Sequence, residues 1–217
     1  MAGELTPKNQ VTKMSDAESF FSSADTRDSY IKNAVPAYAP VIDWALSSIS
    51  QFKPKEIIDI GCGLAHSTQL LQQRFGKSKI VGLDVCPYAI AERVIEKSDS
   101  VNFNVGTVDS LLDERKLKSE SFDLAFTSFF SSEFDGDEEY EYFEPLVADL
   151  LSVIKPRGRG LFVHNGPDCE DFLIGLGYNT ESTDTNVLRP VRAEWKLFDC
   201  IEYGFVEFHV VPNNFDT

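Results

Sequence analysis

Three carboxylates and a pair of glycines recur along this chain at intervals that suit one chemical task. The segment Ile57-Ile58-Asp59-Ile60-Gly61-Cys62-Gly63-Leu64-Ala65 sets a short apolar run in front of a Gly-x-Gly turn. Glycines at the point where a strand ends and a helix opens let backbone amides approach a ligand with no Cβ in the way. Asp59 stands two positions before Gly61, a poor place for a pyrophosphate and a good one for an ammonium group. Asp84 follows 21 residues after Gly63, at the end of the next apolar run, where one carboxylate can accept from both hydroxyls of a ribose. Gly106-Thr107-Val108-Asp109 follows the third run and places an acid where it can accept from an adenine amino group. Acids at three consecutive strand ends describe a pocket for a ribose, an adenine and a cation.

The elements that must hold these groups alternate along the sequence. Glu56–Ile60, Lys79–Asp84, Val101–Val105, Phe122–Ser128 and Gly160–His164 read as strands. A helix is expected over His66–Phe75 with Gly76 as its stop, and Pro87 suits the first turn of another that carries Ile90, Val94 and Ile95 inward. Asp137–Ile154 has helical periodicity, Lys155-Pro156-Arg157-Gly158 turns the chain into the fifth strand, and a short helix is expected over Asp168–Leu176. Repeated strand–helix units need crossovers, hence a mainly parallel sheet with helices on both faces. The aromatic and β-branched run Tyr203–Val211 has no long helix before it, which suits an antiparallel edge. Upstream, Ser15 and Glu18 form a capping-box pattern ahead of Phe20 and Phe21, and the apolar residues of Tyr38–Ser50 fall on one helical face. The expected organisation is a flexible tail over residues 1–14, a helical segment and possible lid over 15–50, and one α/β domain over 51–217.

The ordered series Asp59-x-Gly61-x-Gly63, Asp84, Val108-Asp109, then Leu150-Leu151 and Val153-Ile154-Lys155-Pro156-Arg157-Gly158, resembles that of the class I S-adenosylmethionine (SAM) dependent methyltransferases. The resemblance covers about Ile57 to Val163, half of the chain. It implies an α/β fold with a seven-stranded, mainly parallel sheet flanked by helices, its last strand antiparallel. It implies SAM as the methyl donor and S-adenosylhomocysteine (SAH) as the product. The Gly61-Cys62-Gly63 turn would line the methionine portion, with Asp59 toward its amino group. Asp84 would hold the ribose, Val85 and Cys86 would flank the adenine, and Val108 with Asp109 would meet its edge. Ser128 and Phe129 would lie near the methyl group and the acceptor. Two positions depart from the family pattern. Ala65 stands at the third glycine of the loop, and Arg157 stands where the turn before the fifth strand often has glycine.

Competing readings have specific weaknesses. A dinucleotide-binding domain expects glycine where His66 stands and an apolar residue where Asp59 stands. A purely structural glycine turn with solvated acids, or a related fold that binds SAM without transferring methyl, stays open. For the acceptor end, His164 closes the fifth strand and is a candidate general base, equally readable as a hydrogen-bonded wall residue. Glu133 is a second, weaker candidate. Glu133 to Glu144 holds seven acids and no base, a pattern of a solvated helix start or of a region that draws in amines. No metal is expected.

Composition narrows the partners. Twenty basic against thirty-five acidic residues give a net charge of −15, which repels phosphate backbones and anionic membranes. A small, neutral or cationic acceptor is expected rather than nucleic acid. A protein substrate, or a SAM-binding scaffold acting through a partner, is the alternative. No apolar run reaches the roughly 18 residues of a membrane span, and residues 1–15 lack the apolar stretch of a secretory signal, so the expected location is cytoplasmic. Cys62, Cys86, Cys169 and Cys200 form no CxxC pair and read as free thiols.

Overall fold

The structure is a computed structural model that describes residues 20–129, 149–165, 192–199 and 203–211, with side chains up to Val163. Five strands form its centre: β1 (Glu56–Ile60), β2 (Lys79–Asp84), β3 (Val101–Val105), β4 (Phe122–Ser128) and β5 (Ile154–Asn165). They pair in parallel in the order β3-β2-β1-β4-β5. The order reverses between β1 and β4, the crevice where open α/β sheets bind ligands. Ile57, Ile58 and Ile60 of β1 are all buried, because layers on both sheet faces enclose a central parallel strand.

Beyond β5 the sheet continues with β7 (Tyr203–Val211), antiparallel to β5, and with β6 (Arg192–Asp199), antiparallel to β7 on the outer edge. The β7 bounds are those expected from sequence. Strand β6 was not anticipated: Arg192, Glu194, Lys196 and Asp199 break its apolar content, as edge strands do to avoid pairing with other chains.

The helices depart from expectation more than the strands. Helix α1 (Ala24–Ser29) is capped by Ser23, whose hydroxyl accepts from the Thr26 amide. A π-turn (Tyr30–Ala34) then leads into α2 (Val35–Ser48), which starts three residues before the expected Tyr38. Pro36 stands in the first turn of α2, and Pro40 lies inside the helix, where its missing N–H removes a backbone hydrogen bond. Ile42, Ala45, Leu46 and Ile49 of this segment pack with Ile57, Ile80, Phe126 and Leu161, so α2 is a layer of the main core. Helix α3 (His66–Arg74) adds Leu71, and Phe75 follows it into the same core. Helix α4 (Pro87–Ala91) is only five residues long, and Val94 beyond it is 40% exposed. The inward placement expected for Val94 is therefore corrected: the helix stops before reaching it, while Ile95 does pack against the core. Helix α5 (Val108–Asp113), absent from the sequence reading, is nucleated by a reciprocal box between Thr107 and Ser110.

Residues 149–153 are helical and run straight into β5, which starts at Ile154 rather than Gly160. Its register against β4 jumps from Ile154 opposite Phe122 to Arg159 opposite Leu124, so Lys155–Gly158 loop out as a bulge. Among the described residues, no helix is long and apolar enough to cross a membrane.

Gly82 shows how tightly the first three strands close. A Cβ there would stand 2.5 and 2.6 Å from ring atoms of Phe103 and 3.1 Å from the Cys62 sulfur. Gly82→Ala is expected to cost about 1–3 kcal/mol through overpacking, read as a lower urea midpoint with an unchanged slope.

Candidate functional site

The turn after β1 is built from three left-handed residues: Gly61 (φ 72°), Gly63 (φ 50°) and Ala65 (φ 68°). Glycine takes this conformation at little cost, whereas Ala65 bears roughly 1–2 kcal/mol of strain. The turn is fixed by its amides. Those of Gly61 and Cys62 both donate to the Leu83 carbonyl, at 2.8 and 3.0 Å, and that of Ala65 donates to the Cys62 carbonyl at 2.8 Å.

Asp84, at the tip of β2, ties this turn to the next one. Its Oδ2 accepts from the Gly63 amide and its Oδ1 from the Cys86 amide, both at 2.8 Å. Each oxygen keeps a further lone pair for a hydroxyl. Burial raises the pKa of Asp84, and the amides of Cys86, Gly63 and Val85 oppose the rise.

Asp59 is more enclosed than its motif position suggests, with none of its surface exposed. Its Oδ2 accepts from Ser67 Oγ at 2.8 Å and Thr68 Oγ1 at 2.6 Å, which links β1 to the first turn of α3. Its Oδ1 is buried and has no partner among the described residues. Burial raises its pKa to about 7, against the lowering effect of Thr68 and Ser67 and with a further push from Asp84. The same low-dielectric surroundings, followed by the charges of Asp59 and Asp84, push the Cys62 thiol well up, which disfavours its thiolate. His66 opens α3 with its Nε2 buried and unpartnered among the described residues, and burial lowers its pKa.

The remaining expected residues fall around these. Val85 is half-buried beside Asp84. Cys86 is fully buried in a small cluster with Leu64 and Ala89, covered by Phe21 and Tyr30. Phe21 meets both Phe20 and Tyr30 edge-to-face, and its ring lies 3.6 Å from where a Gly63 Cβ would stand. The aromatic end of the N-terminal segment thus lies over the glycine turn. Val108 is packed in the core, while Asp109 is exposed in the first turn of α5. Asp149 lies close enough for Asp109 to act on it: burial first, then the Asp109 charge, raises its pKa to about 7. No sequence signal pointed to Asp149, because its relation to Asp109 spans 40 positions and exists only after folding.

At the β4 tip, Ser128 is half-buried and pairs in register with Val163. Phe129 adopts a left-handed backbone (φ 52°), donates its amide to the Val163 carbonyl at 2.8 Å and stacks on Tyr38, centroids 3.9 Å apart and 15° from parallel. His164 lies at the carboxyl end of β5 opposite Gly204; its backbone alone is described. Glu133 and the acidic run, the expected helix over 168–176, residues 1–19, Cys169 and Cys200 lie outside the described residues.

Residues 58–159, just under half of the chain, match the family model of a methyltransferase domain. A trans-aconitate 2-methyltransferase of Acidovorax sp. (strain JS42) is 49% identical over 39 residues, 18% of this chain and 15% of that protein. A malonyl-[acyl-carrier protein] O-methyltransferase of Halalkalibacterium halodurans is 28% identical over 118 residues, 54% of this chain and 41% of that protein. The chain thus matches less than half the length of these curated relatives. Among solved structures, the plantazolicin methyltransferase BpumL, in complex with a desmethyl-plantazolicin analog and SAH, superposes with a TM-score of 0.60 at 14% identity, covering 94% of this chain and 98% of that one. The N-methyltransferase NodS of Bradyrhizobium japonicum WM9, in complex with SAH, gives 0.58 at 14% identity, covering 91% and 97%. At such identities the likeness establishes the fold.

Proposed function

We propose that this chain, whose residues 58–159 match a methyltransferase-domain model, is a class I SAM-dependent methyltransferase that transfers a methyl group from SAM to an oxygen or nitrogen of a small-molecule acceptor. We read the seven strands together, β7 antiparallel, as the complete sheet of that fold. The observation that carries the reading is the Asp84 carboxylate. It is held by amides from the glycine turn and from the turn after β2, and both of its oxygens retain capacity for a ribose diol.

The other residues suit the same cosubstrate. The unpartnered Oδ1 of Asp59 is a buried acceptor that an ammonium group would satisfy. Val85 and the Cys86 turn border the adenine position, Val108 holds the turn that presents Asp109 to the adenine edge, and Cys62 contributes a backbone and an inert thiol. SAM brings a methyl already activated by a positively charged sulfur, so no metal is required. What remains for the protein is to align the acceptor with the S–CH3 bond and exclude water, effects that supply roughly 7–11 kcal/mol in well-organised sites. Ser128 and Phe129 with its stacked Tyr38 form the wall beside that line. His164 holds the acceptor's proton as the methyl arrives, with Glu133 as the alternative base.

The cover formed by Phe21 and Tyr30 supports a small acceptor rather than an extended peptide. In this reading the start of the 15–50 segment, with Phe21 and Tyr30, forms the cap, while α2 belongs to the core of the domain over 51–217. A net charge of −15 favours neutral or cationic acceptors. The names of the two curated relatives carry organic acids instead, so a screen over amines, phenols and carboxylates separates the possibilities. Turnover on an amine or phenol is expected. In the same assay His164→Ala should lose about 10²–10⁴-fold in turnover while titrating with SAH like the parent; turnover equal to the parent's would remove His164 from the mechanism.

A further inference from the structure

At the opposite end of the sheet, where β1, β4 and β5 begin, an open surface cavity of about 350 Å³ lies between the Phe52–Lys55 segment and the bulge of β5, with Lys53, Lys55 and Arg157 exposed at it. That volume is roughly ten times a water's share of the liquid. Lys53, Lys55, Lys155 and Arg157 line it against one acid, Asp123. The acid is already neutralised: its Oδ2 accepts the amides of Lys55 and Glu56 at 2.8 and 2.9 Å, and its Oδ1 accepts Lys155 Nζ at 2.8 Å. Burial pulls its pKa upward, but the hydrogen bonds from Lys155 and the two amides outweigh it and hold it below the ordinary carboxylate value. Lys53 spends one proton on the Ser50 carbonyl at 2.8 Å. Lys55 and Arg157 make no side-chain ion pair or hydrogen bond among the described residues. A chain of charge −15 thus gathers a surplus of cations in one concave site.

The backbone of Arg157 is the second, independent observation. Its φ is 67°, a left-handed conformation that glycine adopts freely and arginine does not. The next residue, Gly158, has no room for a Cβ, which would stand 2.5 Å from Ile154 Cγ2 and 2.9 Å from the Lys155 carbonyl oxygen. The turn therefore demands glycine at one position and holds a strained arginine at its neighbour. Strain of this kind clusters at ligand sites without being confined to them, since Arg115 and Glu120 carry it as well.

We propose that this cavity binds a phosphate-bearing small molecule, with Arg157 as the forked donor and Lys55 and Lys53 as flanking charges. Cations brought from two segments around a concavity suit a multiply charged tetrahedral oxyanion. The cavity is a single pocket on an acidic molecule, which does not suit a nucleic-acid track. It lies at the far end of the strands from Asp59 and Asp84, so occupancy would not compete with the donor site.

Arg157→Gly provides the test, since glycine fits the turn and the variant should fold. Its melting temperature without ligand is expected to equal the parent's or exceed it by about 2–4 °C. Sodium pyrophosphate should raise the parent's melting temperature beyond sodium chloride at matched ionic strength, and calorimetric affinity for it should fall at least about tenfold in Arg157→Gly and in Lys55→Gln. Glycerol 3-phosphate tests for a phosphate ester and citrate for any polyanion. SAH affinity should be the same in all three proteins, so the outcome is independent of the methyltransferase reading. A pyrophosphate effect no greater than that of chloride, equal binding by Arg157→Gly, or an equal response to citrate would each overturn the proposal.

Discussion

Asp84→Ala is expected to lower affinity for SAH by about 10²–10⁴-fold while the protein stays folded. The estimate rests on the loss of two charge-assisted hydrogen bonds to a ribose diol, each contributing roughly 1.5–3 kcal/mol, where every 1.4 kcal/mol is tenfold. The carboxylate also accepts the Gly63 and Cys86 amides, at 2.8 Å each, so its removal frees two donors that shape the turn. Both effects point the same way. Asp84→Asn keeps one acceptor oxygen and should fall between the parent and alanine. Calorimetric titration with SAH measures the affinities, and far-UV circular dichroism with a urea midpoint establishes folding. A folded alanine variant that binds SAH as the parent does would place the cosubstrate elsewhere and undo the proposed site.

The parts of the fold that were legible in the sequence are those where local pattern and tertiary demand agree. Strands β1 to β4 are short runs rich in β-branched or aromatic residues between glycines, polar turns and prolines, too short for helices, and the inner three are largely buried in the parallel sheet. The left-handed turn at Gly61 and Gly63 was legible for the same reason, since few residues take those angles. Strand β6 was hidden because four of its eight residues, Arg192, Glu194, Lys196 and Asp199, are charged, as edge strands often are. Helix α5 was hidden because its nucleus is a Thr107–Ser110 reciprocal box, with serine where glutamate or glutamine is the recognisable sign. The extension of α2 back to Val35 was masked by Pro36, which reads as a breaker until its place in the first turn is known.

The site divides along a similar line. Residues on strand tips could be named from spacing, because parallel strands in order bring their carboxyl ends together. What spacing could not give is which atoms remain available. Asp59 emerged as a fully buried anchor for Ser67 and Thr68 rather than an open carboxylate. The covering of Cys86 by Phe21 and Tyr30, the Tyr38–Phe129 stack and the approach of Asp149 to Asp109 join segments tens of residues apart. Arg157 was visible only as a departure from a glycine pattern, and its φ of 67° shows that the backbone keeps the glycine-like turn all the same.

Asp59 should make the protein less stable as the pH rises from 4 to 8. In the folded chain, burial raises its pKa from 3.8 to about 7, whereas in the unfolded chain the carboxyl ionises near 4. Between these values the native state holds a proton that the unfolded state has released, so stability declines with pH across that window and levels off above it. About three pH units correspond to roughly 4 kcal/mol from this one group. Asp149 contributes in the same direction over the same range, so the variant comparison is what isolates Asp59. Asp59→Asn keeps an oxygen to accept from Ser67 and Thr68 but cannot ionise. Its urea stability should change much less between pH 4.5 and 8, with the parent losing several kcal/mol more over the interval. Identical slopes would mean that Asp59 is already ionised near pH 4 and its burial is compensated.

The same carboxyl links folding to the proposed donor. An ammonium group placed at Oδ1 would favour the ionised form, so binding SAH near pH 6 should expel a proton that the free protein holds. Calorimetry in buffers of different protonation enthalpy reads that proton directly. It should be absent with 5′-methylthioadenosine, which lacks the amino-acid portion, and absent in Asp59→Asn. A proton released equally by both ligands would assign it to another group, with Asp149 beside Asp109 the next to test. Because that proton must leave for the cation to bind, SAH affinity should rise with pH and level off above about pH 7, a dependence that Asp59→Asn should lack.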